Sequence, residues 1–416
     1  MDSIKVSRIV LFLIVIALAI GGYRWWSQSH SPSVALSAPA GAPPAPQSGG
    51  VLGKIKSLFQ HSPQTSGAAS SPGAGAPGDI TVLTTATKAQ WLDDEIAAFN
   101  SANAGKYHAT RLPLLESRDA MQVMLAGKSQ PTIWSPSSPV WIARFSEVWA
   151  QRNGSRVRIA DMDDPQNYRV LLKSPLVVLT THAKAPFLKS VFAGSAPWST
   201  VRELSAGTRK APWGKFRFAH ADPLDASSGM LTMSLILGEY AQQHGQEGDM
   251  EQAAQSAAFT QYLIGVERGF LYDPNTVGSS ALEKSFEANP STRDFITAYE
   301  SKALEATEND SNLTMVYPRP TAVAEQAAVV LNAPWVSDAQ REGGQALLRF
   351  LASDESLKDG MKYHFRPAHS GGMALQEDSA TGFQQSYSAI ELPPYGALND
   401  AANQWRVNVA HRGAQL

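Results

Sequence analysis

The sequence predicts an α/β protein of two lobes that follow an N-terminal membrane segment and a disordered tether. Short apolar strands alternate with amphipathic helices from residue 79 onwards, in two separate series. The first series has strands at 80–83, 107–112 and 132–135, and the second begins with a buried strand at 174–181. Such alternation implies parallel sheets with right-handed crossovers, whose strand-to-helix loops meet at an edge where ligands bind.

The N-terminal segment has the pattern of a membrane anchor. An apolar run at 9–22 follows Lys5 and Arg8 and ends at Tyr23, Arg24, Trp25 and Trp26. Basic flank, apolar run and interfacial aromatics predict a single transmembrane helix within 1–26, with the folded part outside the cytoplasm. We therefore expect a single-pass protein of the cytoplasmic (inner) membrane that faces the periplasm. A cleaved signal peptide, with Ala17-Leu18-Ala19 near its end, is the alternative.

Residues 27–78 are rich in Ser, Pro, Ala and Gly, which predicts a disordered tether because such a chain buries too little apolar surface to order itself. One stretch, 51–60, places Val51, Ile55, Leu58 and Phe59 on one helical face. It could dock on a membrane or on a partner protein, or it could be a transient helix in a linker.

Composition excludes several classes of function. The net charge is only −2, so no basic stripe is available for nucleic acid. Cysteine is absent, which excludes disulfides, thiolate metal sites and a cysteine nucleophile. The run 73–78, GAGAPG, matches a dinucleotide fingerprint in letters but has no strand before it, so we expect no cofactor.

The stretch 216–237 predicts a short strand, a polar loop and a helix start, and similar junctions recur along the chain. The first N–H groups of a helix lack intrahelical partners and can hold a ligand, and hydroxyls placed there add donors. Helix capping is the simpler explanation for any one of them. The hydroxyl pairs at these junctions are Thr85 and Thr87, Ser135 and Ser137, Ser227 and Ser228, and Ser279 and Ser280.

Catalytic motifs are weak in this sequence. GxSxG does not occur, and SxxK occurs only in the altered form Thr85-Ala86-Thr87-Lys88. No histidine pairs with another ligand at helical spacing, so we expect no metal site. Asp222 and Asp225 are the only carboxylate pair in the 220–229 loop, and turn formation explains them as well as acid–base chemistry does.

A family resemblance rests on four segments, which are WSPSSPVW at 134–141, FAHADPLDASSGML at 218–231, the run at 317–353 and FRPAH at 365–369. They resemble bacterial extracellular solute-binding proteins of the type II periplasmic-binding class. Within that class they look closest to a branch similar to molybdate- and sulfate-binding proteins, which is often fused to a von Willebrand factor A domain.

The resemblance implies two α/β lobes joined by two crossover strands, near 176–181 and 312–317. Lobe one would comprise 79–176 and 318–416, and lobe two would comprise 177–317. Carried over by position, the family's site implies ligand contacts from Thr85, Thr87, Ser135, Ser137, Asp222, Ser227, Ser228, Ser279 and Tyr317.

This chain departs from the family pattern in two respects. It has no DxSxS motif of a von Willebrand A domain, since Asp225-Ala226-Ser227-Ser228 has the wrong spacing, and it has no lipobox cysteine. Oxyanion specificity therefore does not follow from the resemblance.

Together these features predict a membrane-tethered, extracytoplasmic solute-binding protein without catalytic activity. It would trap a small polar or anionic ligand between its lobes by hinge closure, and a membrane permease or an envelope protein would be its partner. An envelope assembly protein that keeps the fold without a small ligand is the alternative, and an enzyme is the third hypothesis.

Overall fold

The computed structural model describes residues 79–154, 158–276, 278–369 and 375–410. The membrane anchor predicted at 1–26, the tether at 27–78 and its apolar stretch at 51–60 lie outside these residues. Within the described ranges, no helix combines the length and the hydropathy that a membrane crossing requires.

Nine strands and thirteen α-helices make up the described part of the chain. The strands are β1 Asp79–Thr84, β2 His108–Arg111, β3 Ile133–Ser135, β4 Tyr168–Thr181, β5 Phe218–Ala219, β6 Phe295–Tyr299, β7 Leu313–Val316, β8 Val323–Val330 and β9 Arg366–Pro367. The helices are α1 Ala89–Ala102, α2 Ser117–Leu125, α3 Pro139–Asn153, α4 Ala185–Phe192, α5 Pro197–Ala206, α6 Ser227–His244, α7 Met250–Gln255, α8 Ala257–Val266, α9 Ser279–Ala288, α10 Glu300–Asn309, α11 Asp338–Leu351, α12 Asp354–Asp359 and α13 Tyr395–Trp405.

One long strand, β4, belongs to both sheets. Its first half pairs antiparallel with β8, from Tyr168 to Pro175, in the sheet of lobe one. Its second half pairs antiparallel with β6 and β7, from Leu176 to Thr181, in the sheet of lobe two. The chain returns between β7 and β8 beside the same point, where Leu176 N donates to Ala322 O at 2.8 Å. These two passages are the crossover strands.

The sheet of lobe one has the order β2-β1-β3-β8-β4, with β1 parallel to β2 and β3 and with β8 antiparallel to β3. Side chains alternate between its two faces, as a strand requires. On β8, Ala328 and Val330 join a core with α1 and α11, whereas Ala327 and Val329 join a core with α2 and α3. Both faces of the sheet are therefore covered by helices.

The sheet of lobe two follows the same rule. Leu176 and Val178 of β4 face a large core built with α5, α6 and α8, and Val177 and Leu179 face a second core with α9 and α10. Helix α6 is buried along most of its length, because this sheet and the helices α7 and α8 surround it.

The C-terminal helix α13 packs on lobe two, although the sequence-based boundary assigned 318–416 to lobe one. Ala397, Ala401 and Trp405 belong to the large core of lobe two. The Trp405 ring meets Phe270 edge-on, with 5.5 Å between ring centroids. Leu398 and Tyr395 of the same helix pack in the core of lobe one, so α13 contacts both lobes and lies mainly on lobe two.

Candidate functional site

The helix starts that the sequence singled out lie on opposite walls of a cleft between the lobes. In lobe one, β1 leads into a 3₁₀ turn at 86–88, and β3 leads into α3. In lobe two, the loop after β5 leads into α6, and Gly278 precedes α9. A strand end followed at once by a helix start places unpaired backbone N–H groups at the same edge of each sheet.

Hydroxyl groups join the two loops on the wall of lobe one. Thr85 Oγ1 and Ser137 Oγ lie 2.9 Å apart in a buried hydrogen bond. The backbone N–H of Ser137 donates to Ser117 Oγ at 3.2 Å, which adds the start of α2 to the cluster. Three separate chain segments therefore converge on this wall.

A matching pair stands on the wall of lobe two. Ser228 Oγ and Ser279 Oγ are 2.7 Å apart and buried, so the first turns of α6 and α9 are joined. Gly229 allows the close approach behind them, because a Cβ at that position would stand 2.2 Å from Ala221 O. Any larger residue at position 229 would push α6 away from the loop.

Two contacts cross from one wall to the other. Trp141 Nε1, on α3 of lobe one, donates to Ser227 Oγ of lobe two at 3.0 Å in a buried position. The hydroxyl of Tyr299, at the end of β6, lies near both Ser137 and Ser227, which act on its pKa. Burial raises the pKa of Tyr299 above its ordinary value, so this hydroxyl keeps its proton at neutral pH.

The predicted site residue Asp222 is engaged by the protein itself. Its carboxylate accepts from the Leu224 N–H at 2.8 Å and from Arg406 Nη2 at 3.1 and 3.2 Å. These contacts show Asp222 in a turn-forming role, which the sequence analysis weighed against acid–base chemistry. Asp225 binds Arg406 as well, and also Arg118 of lobe one at 3.2 Å, in an ion pair between the lobes.

Two other predicted residues are also held away from the hydroxyl cluster by their contacts. Ser135 Oγ donates to Ala327 O at 2.7 Å inside the sheet of lobe one. The Tyr317 hydroxyl donates to Glu300 beside the crossover strands. The structure thus brings together Thr85, Ser137, Ser227, Ser228 and Ser279, and it gives Ser135, Asp222 and Tyr317 other partners.

An open cavity of about 520 Å³ has walls from both lobes, and Ala86 and Ser280, the chain neighbours of Thr85 and Ser279, line it. Thr87 and Lys88 line it from lobe one, and Ser280, Glu283 and Lys302 line it from lobe two. This volume is typical of small-molecule sites, which occupy about 300–1,000 Å³. Thr87, the remaining predicted residue, therefore borders the cavity.

Lys88 has an unusual environment for an amine. It is buried, and its Nζ donates to Pro136 O and Gln326 Oε1, each at 3.0 Å. Burial lowers the pKa of Lys88 to about 7. These contacts tie the 3₁₀ turn after β1 to the loop after β3 and to β8.

Sequence analysis overlooked two carboxylates in this region. Glu283 is only 5% exposed, and its Oε1 has no hydrogen-bond partner. Burial raises the pKa of Glu283 to about 8, and burial followed by the charges of Asp119 and Asp225 raises that of Glu116 to about 7. The sequence does contain a signal for Glu283. It follows Ser279 by four residues and therefore lies on the same face of the helix.

Comparisons with known proteins agree with this architecture. The sequence matches the family described as bacterial extracellular solute-binding protein over residues 96–380. No curated protein matches the sequence.

Three solved structures illustrate the similarity of fold. The sulfate-binding protein SubI from Mycobacterium tuberculosis H37Rv is 15% identical with a TM-score of 0.50, and covers 70% of this chain and 87% of its own. Iron-bound HitA from Pseudomonas aeruginosa is 15% identical with a TM-score of 0.53, at 80% and 99% coverage. A periplasmic thiamin binding protein is 13% identical with a TM-score of 0.53, at 80% and 96% coverage. Because the family match spans more than half of the sequence and the two-lobed fold agrees, the chain belongs to the bacterial extracellular solute-binding protein family.

Proposed function

We propose that this protein is an extracytoplasmic solute-binding protein that traps a small polar ligand between its lobes and does not transform it. The observation that carries the proposal is the meeting of two hydroxyl-bearing helix starts, at Ser137 and Ser228, on facing walls of one cleft. Such a site supplies several N–H and O–H groups from two bodies that a hinge can separate.

The hydroxyl pairs supply the means of binding. Thr85 is hydrogen-bonded to Ser137, and Ser228 is hydrogen-bonded to Ser279. A polar ligand can replace one hydrogen bond of each pair, so no buried donor is left unsatisfied in either state. The ligand then shifts the equilibrium from the open to the closed form to the extent that it binds the closed form more tightly.

Charged side chains of both signs line the cavity. A helix N-terminus favours an anion, which supports the anionic part of our expectation. The lining holds the glutamates Glu283, Glu287 and Glu305 beside the lysines Lys88, Lys284, Lys302 and Lys362. A polar solute therefore finds partners for both its donors and its acceptors in this cavity.

The location of the protein forms part of the same proposal. Family membership agrees with the extracytoplasmic side. An uncleaved anchor at 1–26 would hold the receptor on the inner membrane, where a permease would bind its closed form. Membrane fractionation of the full chain tests this point, since a cleaved signal peptide would release the protein into the soluble periplasmic fraction.

Ligand-induced thermal stabilisation of the full-length protein tests the binding function. The probes are sulfate, molybdate, Fe³⁺, sugars, amino acids, thiamin and polyamines, and a bound ligand raises stability by RT ln(1 + [L]/Kd). We expect a saturable shift with one class of probe. No shift across the whole panel would overturn the proposal in favour of an assembly role.

Two serine variants provide a matched pair for this test. Ser228→Ala removes a hydroxyl of the cleft, so the ligand-induced shift should shrink while the unliganded protein stays folded. Ser135→Ala removes a hydroxyl that bonds only within the sheet, so it should lower stability by about 1 kcal/mol and leave the Kd unchanged. The opposite pattern would mean that the binding site lies elsewhere.

A further inference from the structure

Helix α13 and the arginine that follows it contact both lobes at once. We propose that this segment, residues 395–406, is a latch that holds the two lobes together when no solute is bound. The inference goes beyond the proposed function, because it concerns the ligand-free protein and names no ligand. Three sets of contacts support it.

The first set of contacts is apolar. Tyr395 and Leu398, at the start of α13, pack in the core of lobe one with α3. Ala397, Ala401 and Trp405, which recur every four residues, pack in the core of lobe two with α6 and α8. One helix thus contributes side chains to the cores of both lobes. Lobes that separate must withdraw this helix from one of the two cores, which exposes apolar surface to water.

The second set of contacts is a chain of charges around Asp225. Arg406, directly after α13, donates to Asp222 at 3.1 Å and to Asp225 at 3.2 Å, both in lobe two. From lobe one, Arg118 donates to Asp225 at 3.2 Å and to Leu224 O at 3.2 Å. Asp225 is therefore held between an arginine of the latch and an arginine of lobe one.

The third set of contacts surrounds the ring of Tyr395. The Trp141 ring of α3 meets it edge-on, with 5.8 Å between ring centroids, and the Arg144 guanidinium lies 5.0 Å from its centroid. Trp141 in turn donates through Nε1 to Ser227 of lobe two at 3.0 Å. The latch thus supports the side chain that makes a hydrogen bond across the cleft.

The chain also attaches the latch to the crossover strands. The Thr321 N–H, between β7 and β8, donates to Ser388 O at 2.9 Å, and the Ile390 N–H donates to Thr321 O at 2.8 Å. Helix α13 begins shortly afterwards, at Tyr395. One end of the segment is therefore attached beside the crossovers, and its other end, at Arg406, binds the loop of lobe two that Arg118 of lobe one also binds.

These contacts make lobe closure separable from ligand binding. The latch residues differ from those that line the 520 Å³ cavity, so the latch can be weakened without changing the lining. A solute must wait for the lobes to part, and the latch sets the fraction of protein that is open. A partly exposed ion pair or an aromatic pair shifts such an equilibrium by about two- to tenfold.

Double electron-electron resonance on the ligand-free, full-length protein tests the latch. The sequence has no cysteine, so Lys128→Cys in lobe one and Lys210→Cys in lobe two, both exposed, provide two unique spin-label sites. We expect one narrow distance distribution in the labelled parent. The double variant Arg118→Gln with Tyr395→Leu should add a second distance, with an open fraction at least threefold larger than in the parent.

A matched control lies within lobe one. Arg111 pairs with Asp93 at side-chain exposures of 25% and 45%, against 28% and 46% for the ion pair between the lobes. The Tyr107 ring packs on that of Phe99. Arg111→Gln with Tyr107→Leu therefore removes the same kinds of contact inside a single lobe, and it should keep the distance distribution of the parent.

Three outcomes would overturn the inference. An unchanged distribution in the latch variant would mean that the segment does not hold the lobes. Equal opening in the control would assign the change to lost stability. Arg118→Gln alone removes only a partly exposed ion pair and should fold, so its failure to open the lobes about twofold would also contradict the latch. None of these outcomes touches the binding function, which ligand-induced stabilisation tests separately.

Discussion

Two buried glutamates of lobe two have opposite surroundings. Glu300 lies beside the crossover strands, where it forms with Arg366 an ion pair that we call the hinge pair, and Glu283 lies at the cavity. Glu300 begins α10 directly after β6, and Arg366 of lobe one donates to both of its oxygens at 2.7 Å. The Tyr317 hydroxyl donates to Glu300 as well. Glu283 sits one helix earlier and has an Oε1 without any partner.

In the hinge pair, residues of the chain itself supply all the donors that Glu300 accepts from. The Arg366 guanidinium contacts the rings of Phe383 and Tyr387, at 4.7 and 4.8 Å from their centroids, and also donates to Gln385 O. Burial alone therefore does not mark a functional carboxylate in this protein. What separates the two glutamates is whether the chain itself supplies the donor.

The largest expected effect comes from breaking the hinge pair. Arg366→Met would leave Glu300 buried without its counter-ion, and loss of one partner of such a pair costs about 3–5 kcal/mol. Chemical denaturation should show this loss in the free energy of unfolding. Glu283→Gln is the control and should change it by less than about 1 kcal/mol at pH 7. Equal losses would remove the distinction between the two sites.

The second prediction concerns the pH dependence of stability that Glu283 causes. The pKa of Glu283 is raised from 4.5 in an ordinary glutamate to about 8, so the folded state binds more protons between these values. Its contribution to stability is present below pH 4.5 and is lost as pH rises through 8. The melting temperature of the unliganded parent should therefore fall over this window by several degrees relative to Glu283→Gln.

Lys88 changes stability with pH in the opposite direction, over a pH range that overlaps that of Glu283. Its pKa is lowered from 10.5 to about 7, so its contribution to stability is lost as pH falls through 7. Only the difference between the parent and Glu283→Gln, measured at each pH, isolates the glutamate. Parallel profiles for the two proteins would contradict the assignment of a raised pKa to Glu283.

The smallest effect concerns the contact that closes the cleft. Trp141→Phe removes the hydrogen bond to Ser227 and keeps an aromatic ring against Tyr395. Losing one such bond in the closed form should raise the Kd of the ligand by about fivefold, or about 1 kcal/mol. Ligand titration by intrinsic fluorescence or calorimetry measures it. An unchanged Kd would mean that this contact is equally formed in the open protein.

The sequence predicted those parts of the molecule that local pattern determines. The alternation of strands and helices predicted the two α/β series. The pairs of hydroxyl residues at helix starts included five residues that the fold brings together. The signal is local because a strand end, a hydroxyl and a helical period lie within a few residues of each other.

Long-range contacts account for what the sequence did not predict. Arg366 meets Glu300 across 66 positions, and the Ser135 hydroxyl meets Ala327 across 192. Neither partner can be read from neighbouring residues. The same holds for α13, because the amphipathic pattern of a terminal helix does not say which lobe its apolar face will cover.

The shared strand β4 also bears on how the protein folds. Lobe one cannot complete its sheet until β8, near residue 330, has been synthesised and placed between β3 and β4. Contacts of such high sequence separation slow folding, because the entropy of closing a long loop is lost before the pairing compensates for it. We therefore expect the two lobes to be acquired together and late, with no autonomous N-terminal half.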